Sequence, residues 1–360
     1  MAKHKIKSGF IYGQDLIRLF DFCKENNCAI PAVNVTSSST INAALSAAKQ
    51  AKTPIIIQFS HSGAAFFAGK NLENESYQAS ILGASSAAMY IKALAKAYEV
   101  PVIIHSDHCS KDKLSWVDGL LDIGLDYYDS YGEPLFSSHM LDLSQLSLKE
   151  NLSISSKYMK KIDELEMLLE VEIGLTGGEE DGLDNSKADK EDLYSKPENV
   201  YQAFEKLSKL GSVNIAAAFG NVHGVYKPGS VKLKPEILDD CQKLAKKELR
   251  TKENKPLNLV FHGGSGSSTG KIKESLKYGI VKFNIDTDTQ WSFTNPIKKY
   301  MDKNDDYLHS QVGNKKGKDK PNKKQIDPRV WLFEGEQGMT NKLLQMYKIL
   351  NSSGKFEILE

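Results

Sequence analysis

His108, His223 and His262 stand at, or a few residues beyond, the ends of short apolar runs: PVIIHSD (101–107), NIAAAFGNV (214–222) and LNLVF (257–261). Three imidazoles with one open coordination position make a catalytic zinc arrangement, the vacancy being left for water or substrate. A single histidine so placed is more often a packed or capping residue; the shared placement of all three is what favours a metal. Asp107 directly precedes His108. A carboxylate there could serve as acid or base toward a metal-bound substrate, with the orienting of a ligand or the capping of a helix as competing roles. Glu179 and Glu180 lie in an acidic, glycine-rich stretch. A mobile carboxylate can close over a substrate and remove a proton once water is excluded, although a Glu pair in a loop is ordinarily just solvated.

The other five histidines fit this pattern less well. His4 and His309 lie in polar ends or loops, His105 points away from its neighbours by strand alternation, and His139 falls in a loop-to-helix segment. These four read as structural or surface residues. His61 follows an apolar run and faces the same rim without binding metal.

Glycines add a second theme. GNVHG (220–224) and GGSGS (263–267) follow apolar runs, and NIDTD (284–288) ends another and opens a helical pattern. Glycine serves tight turns generally, but in this setting, with Ser265 and Thr287 nearby, backbone N–H groups and a helix N-terminus make a phosphate cradle the better reading. Metal, mobile carboxylate and phosphate cradle together suit polarising the carbonyl of a phosphorylated sugar and stabilising an enediolate, which is aldol chemistry or isomerisation. No lysine stands at a strand end in an apolar rim position that would suggest a Schiff base.

Positioning such groups requires elements that bring distant residues to one rim. Strands are predicted at Ala29–Val35, Pro54–Ser60, Pro101–Asp107, Asp126–Tyr131, Leu168–Ile173, Val213–Phe219, Leu257–His262 and Ile280–Asp286. Several are β-branched and nearly continuous in hydrophobicity, as strands buried on both faces must be; Asp126–Tyr131, with two Asp and a Ser, is the weakest. Helical patterns alternate with them: Gln14–Glu25, Thr40–Lys52, Tyr77–Tyr98, Lys113–Ile123, Leu146–Leu165, Asn199–Leu210, Lys234–Lys247 and Lys271–Lys277. This alternation predicts right-handed βαβ units and a parallel sheet. Eight strands predict closure into a (β/α)8 TIM barrel, capped below by Gln14–Glu25 and extended by helices near Trp291–Met301 and Met339–Leu350. An open doubly wound sheet is weakened by the lack of GxGxxG after the first strand.

Two segments break the rhythm. Residues 174–200 hold eight acids against three lysines, and residues 311–329 hold seven basic residues against two acids. By composition alone both read as solvated surface loops, although a loop as long as the first is usually functional or mobile.

The 360 residues carry 47 basic and 46 acidic side chains, a formal net charge of +1, with 40% hydrophobic and 26% charged residues. That is ordinary for a globular protein and argues against overall disorder. Length alone suggests two domains, but α/β barrels of this size are commonly one, and one elaborated barrel over 1–360 is expected. Near-neutrality argues against a nucleic-acid partner. The N-terminal residues show no apolar core of a secretory signal, no run is long enough to span a bilayer, and the four cysteines lack CxxC pairing, so a cytoplasmic protein with no membrane partner is expected.

At these residues the chain resembles the class II, zinc-dependent fructose-bisphosphate aldolases, in particular their class IIA branch. The matching strings are PAVNV, QFS, VPVIIHSDHC, PLFSSHMLDLS, LEVEIGLTGGEEDGLDNS, FGNVHGVYKPG, FHGGSGS, KFNIDTDTQW and PNKKQIDPRVW, in the family's order from about residue 31 to 331. The long acidic loop and the DPRVW tail favour class IIA. The resemblance implies a homodimeric (β/α)8 enzyme of glycolysis and gluconeogenesis that reversibly cleaves fructose 1,6-bisphosphate into dihydroxyacetone phosphate and glyceraldehyde 3-phosphate. It implies catalytic Zn²⁺ on His108, His223 and His262, with Asp107 exchanging a proton with the C4 hydroxyl or the aldehyde oxygen. Glu180 matches the loop residue that takes the proton from dihydroxyacetone phosphate. Asp142 and Glu172 match a second, non-catalytic or alternative divalent metal position. Gly224, Gly263, Gly264, Ser265, Asn284, Ile285, Asp286 and Thr287 match the dihydroxyacetone phosphate site, with a monovalent cation (K⁺ or Na⁺) nearby. Asn34 and Ser60 match substrate contacts, and Arg329 with Lys323 matches the basic tail that reaches the second phosphate.

The chain departs from the family's QFSNGG, reading QFSHSG with His61 in place of an amide near the substrate; the loop after Asn34 reads VTSSST, and the fourth strand DYYDSYG where the family has a more apolar run. The nearest alternative is an aldolase for an epimer such as tagatose 1,6-bisphosphate. A metal-dependent hydrolase would leave the phosphate cradle and enolising glutamate unexplained, and a nucleic-acid-binding role for the lysine-rich tail would be at most a second activity.

Overall fold

The computed structural model describes residues 3–180, 183–184, 191–224 and 232–359. Eight parallel strands form the core: β1 (Ile30–Asn34), β2 (Ile55–Phe59), β3 (Pro101–Ser106), β4 (Ser138–Leu141), β5 (Leu168–Ile173), β6 (Val213–Ala217), β7 (Leu259–Phe261) and β8 (Ile280–Ile285). Each is hydrogen-bonded to its sequence neighbours, β8 pairs with β1, and β3–β4 pairing at His105↔Ser138 and Ser106↔His139 completes the ring. The sheet is therefore a closed (β/α)8 barrel, as the strand–helix alternation predicts. A short extra strand, Gly9–Phe10, lies beside the start of β3.

Helices α1 (Gly13–Asn26), α2 (Ser38–Ala51), α3 (His61–Ala68), α4 (Gln78–Tyr98), α5 (Leu114–Tyr131), α6 (Leu148–Glu164), α7 (Pro197–Leu207), α8 (Glu236–Leu249), α9 (Thr269–Leu276) and α10 (Thr287–Lys303) follow the chain order. Local chemistry starts several of them. Ser37 and Thr40 form a reciprocal capping box at α2, and the Ser60 hydroxyl accepts from Gly63 N at α3, each satisfying an otherwise orphaned helix N–H. Outward-facing strand residues such as Leu169, Val171 and Ile173 join the helices in one large apolar cluster. A second cluster fills the lower end of the barrel, where Leu16, Leu19 and Phe20 of α1 meet Ile30, Ile56, Ile103 and Leu168. These three α1 side chains are almost wholly buried, each contributing roughly 1.5–3 kcal/mol of burial. So α1 is the bottom plug expected from its place before the first strand.

The fourth strand is a correction. Asp126–Tyr131 is the last part of α5, which buries Trp116, Val117, Leu120, Leu121 and Gly124 and stops at left-handed Gly132. The tyrosines favour strand locally, but the 3.6-residue apolar period carried over from Trp116 prevails. The true strand is Ser138–Leu141, short and opened by polar residues that are buried because they find partners: Ser138 Oγ lies 2.7 Å from His105 Nδ1, and His139 Nδ1 lies 2.7 Å from Ser106 Oγ. His139 and His105 are thus interior strand residues.

Among their described residues both irregular segments contain regular structure. Backbones of Glu179–Glu180 and Leu183–Asp184 pair as a small antiparallel hairpin, and α7 begins at Pro197, inside the stretch expected to be loop. The basic segment forms a second hairpin, Val312–Asn314 with Gly317–Pro321, followed by one helical turn at Lys323–Ile326 and by the long helix Pro328–Ile349. Among the described residues no helix is long and apolar enough to cross a membrane.

Candidate active site

The upper interior of the barrel is polar. Asp107, one residue past β3 and 1% exposed, is the hub. Its Oδ2 accepts from Gln58 Nε2 at 2.8 Å and Asn34 Nδ2 at 3.1 Å, and its Oδ1 from Asn284 Nδ2 at 3.2 Å. Gln58 also donates to Asn34 Oδ1 at 2.7 Å. Strand register creates this cluster, since Asn34 is paired with Gln58 and Gln58 with His105, so their alternating side chains share the inner face. Burial alone would push the Asp107 carboxyl up, but the nearby positive charges of His108, Lys282 and His262 hold it at about 2.

The three predicted metal-ligating histidines converge. Ring centroids of His108 and His262 lie 4.7 Å apart, His108 and His223 4.9 Å, and His223 and His262 6.3 Å, and all three side chains are buried. One nitrogen from each falls within 4.8 Å of the others, a spacing that one ion could bridge. His108 has a left-handed backbone, φ 45°, which costs a non-glycine residue about 1 kcal/mol or more and is typical of functional sites. His223 follows β6 on a loop whose N–H donates to Gly177 O. Asn221 steadies this loop by donating from Nδ2 to Thr176 Oγ1 at 3.1 Å and to His262 O at 3.0 Å.

Asp142 and Glu172 flank the same histidines. His108 Nδ1 is 3.5 Å from Asp142 Oδ2 and 3.9 Å from Glu172 Oε2, and His262 Nδ1 is 3.1 Å from Glu172 Oε2. Asp142, His108 and Glu172 also each offer one atom within 4.8 Å of the others. Both carboxylates are held: Ser144 donates to Asp142 Oδ1 from Oγ at 2.6 Å, and Thr176 to Glu172 Oε1 at 2.5 Å. Burial raises the Asp142 carboxyl, yet His108 and Ser144 bring it to about 2. The donor set, imidazoles with buried carboxylates, fits a divalent metal.

Above this layer a small open pocket is lined by Asn34, Asp107, His108, His223, Gly224, Gly263, Gly264, Ser265, Asn284, Asp286 and Thr287. The Ser265 hydroxyl accepts from Asp288 N at 3.2 Å, so the glycine turn is tied to the first turn of α10, whose positive dipole end suits an anion. Glycine is required here by space: a Cβ at Gly263 would stand 2.3 Å from Val222 O, and one at Gly264 2.3 Å from the Phe283 ring.

Other sequence-predicted residues lie elsewhere. Ile285 is fully buried in the outer apolar cluster, so its side chain serves the core. Ser60 caps α3 and lies 3.4 Å from Ser62 Oγ. Lys323 and Arg329 are exposed on the C-terminal segment, away from the cavity lining, and Arg329 Nη2 pairs with Asp327 Oδ2 at 2.7 Å. The Glu180 backbone belongs to the small hairpin, and its side chain lies outside the described residues. His61 is edge-on to Tyr77 and Trp116, with centroids 5.1 and 5.7 Å away. Sequence reasoning missed Gln58, Glu170, Lys282, Asn221 and Thr176. For Lys282 and Glu170 the available signal was a charge in the middle of an otherwise apolar strand, IVKFNI and LLEVEI.

Comparison with known proteins agrees with this geometry. The profile of the family "Fructose-bisphosphate aldolase class-II" matches residues 14–355. A fructose-bisphosphate aldolase of Campylobacter jejuni is 51% identical over 351 residues, covering 97% of this chain and 98% of the relative. The fructose-bisphosphate aldolase of Saccharomyces cerevisiae is 51% identical over 352 residues, with the same coverage. A crystal structure of the Campylobacter jejuni enzyme superposes with a TM-score of 0.88 at 50% identity, covering 97% of this chain and 98% of that one. The chain therefore belongs to the class II fructose-bisphosphate aldolases, metal-dependent lyases whose reaction is the reversible aldol cleavage of fructose 1,6-bisphosphate.

Proposed function

We propose that this chain is a class IIA aldolase that cleaves fructose 1,6-bisphosphate to dihydroxyacetone phosphate and glyceraldehyde 3-phosphate, with Zn²⁺ on His108, His223 and His262. The observation that carries the reading is the convergence of three buried imidazoles beside Asp107, directly under a glycine-lined cavity. Bound there, Zn²⁺ would polarise the ketose carbonyl and offset the negative charge that carbon–carbon cleavage leaves on its oxygen.

The rest falls to the chain. Gly224, Gly263, Gly264, Ser265 and residues 284–287 hold the ketone-side phosphate, with the α10 N-terminus toward it and K⁺ or Na⁺ beside it. Asp107, ionised and fixed by three amide donors, accepts the C4 hydroxyl proton as the C3–C4 bond breaks, and returns it to the aldehyde oxygen in condensation. Glu180 protonates the carbon left by cleavage and removes that proton in reverse. Asn34 and Ser60 contact substrate, and Lys323 and Arg329 meet the second phosphate. Asp142 and Glu172, with His108, form an alternative divalent metal position.

One elaborated barrel carries these functions, acting as a cytoplasmic homodimer. Large exposed apolar residues on α3 and α4 (Phe66, Leu82, Met89), with Trp291 and Phe333 on the C-terminal helices, support an association surface.

A coupled assay comparing fructose and tagatose bisphosphates, with and without chelator, tests the reading. Fructose bisphosphate cleavage should disappear on chelation and return with Zn²⁺. Activity indifferent to chelation, or selective for the tagatose epimer, would overturn it.

A further inference from the structure

Below the metal-ligand layer lies a buried charge pair that the proposed chemistry does not use. Glu170 of β5 and Lys282 of β8 are 1% and 2% exposed, and Lys282 Nζ stands 2.7 Å from Glu170 Oε1. The same oxygen lies 2.9 Å from His262 Nε2. His105, Asp107 and Glu170 each offer an atom within 4.8 Å of the others, a spacing compatible with a cation. The Lys282 ammonium already supplies that positive charge, so the cluster does not call for another ion.

A buried ion pair is weak evidence of stabilisation, because apolar residues of similar volume are often as stable or more so. Its place directly beneath a predicted metal ligand gives it another use. With Nε2 turned to Glu170, the ring nitrogen left for the site is Nδ1, the atom 3.1 Å from Glu172 Oε2. Carboxylates that take the second N–H of a ligand histidine fix its tautomer and ring orientation.

We propose that Glu170, held in place by Lys282, is the positioning residue for His262: it accepts the Nε2 proton so that Nδ1 presents its lone pair to the divalent ion. The inference rests on the reading of His262 as a metal ligand.

The test uses the full-length protein stripped of metal and titrated with Zn²⁺ against a chromogenic chelator, with thermal unfolding of the metal-free form measured in parallel. Glu170→Gln should weaken zinc binding about 10- to 100-fold. Lys282→Met should lower the unfolding midpoint, because it leaves a buried carboxylate unpaired. The double variant Glu170→Leu/Lys282→Met carries no unpaired charge and should regain the midpoint while keeping the weakened zinc binding. At full Co²⁺ loading it should show a visible absorption band shifted from the wild type. If zinc affinity returns together with the midpoint, the pair is merely structural and the proposal fails. Wild-type binding left unchanged by Glu170→Gln would overturn this inference alone, whereas a wild-type protein that takes up no zinc would overturn the metal-site reading and the inference with it.

Discussion

Asn284 Nδ2 lies 3.2 Å from Asp107 Oδ1, joining the end of the last barrel strand to the residue beside His108. Gln58 and Asn34 take the other oxygen, so three amides from three strands converge on one carboxylate. Their NH₂ groups demand an acceptor, and a hydroxyl that donates its proton to Asp107 would find a base already oriented. Asp107→Asn would set amide donors against amide donors and remove the proton acceptor. Cleavage turnover should fall roughly 10²- to 10⁴-fold, with zinc content and circular dichroism close to wild type. Turnover within a few fold of wild type would remove Asp107 from the proton path.

The glycine turn should fail by crowding. A Cβ at Gly264 would meet the Phe283 ring at 2.3 Å and Asn284 O at 2.6 Å, and Asn284 is one of the Asp107 donors. Gly264→Ala is therefore expected to cost about 1–3 kcal/mol of stability and to raise KM for fructose 1,6-bisphosphate. Denaturant unfolding and initial-rate kinetics read the two effects separately. An unchanged KM would show that this turn does not carry the phosphate.

Glu180 makes a claim about one proton. Glu180→Gln should slow exchange of the dihydroxyacetone phosphate C–H proton with solvent far more than it weakens binding of that ligand. Isotope exchange followed by NMR, alongside ligand titration, separates the two, and exchange at the wild-type rate would assign the base elsewhere.

The barrel and its metal-ligand residues were legible because they rest on local pattern. Continuous apolar strands such as PIIIQFS and PVIIHSD mark a sheet buried on both faces, and histidines at their ends mark the rim. The fourth strand was not legible: SHML is short and half polar, and its burial depends on hydroxyl–imidazole contacts with β3 that no local window contains. For the same reason Gln58 and Glu170 passed as ordinary strand residues. Their roles come from partners 49 residues away for the Gln58–Asp107 contact and 112 for the Glu170–Lys282 contact, and only barrel closure supplies those partners. The acidic segment looked like one long loop because glycine and charge predominate, whereas its Gly177↔Val222 and Tyr194↔Phe219 bridges are made across the rim.

His139 gives the barrel a specific weakness to acid. Burial holds its imidazole at about 3, below the ordinary histidine value of about 6.5, and its Nδ1 lies 2.7 Å from Ser106 Oγ. Above pH 6.5 the ring is neutral whether the chain is folded or not, so its ionisation contributes nothing. Between 6.5 and about 3 the unfolded chain binds a proton that the folded one refuses, and stability falls by about 1.4 kcal/mol per pH unit. His139→Asn should be less stable than wild type at pH 7, because it loses the contact with Ser106. Since asparagine does not titrate, that deficit should shrink by about 2 kcal/mol on going to pH 5. Urea unfolding of both proteins at the two pH values measures the difference directly. A deficit that stays constant with pH would mean that the barrel accommodates a charged His139.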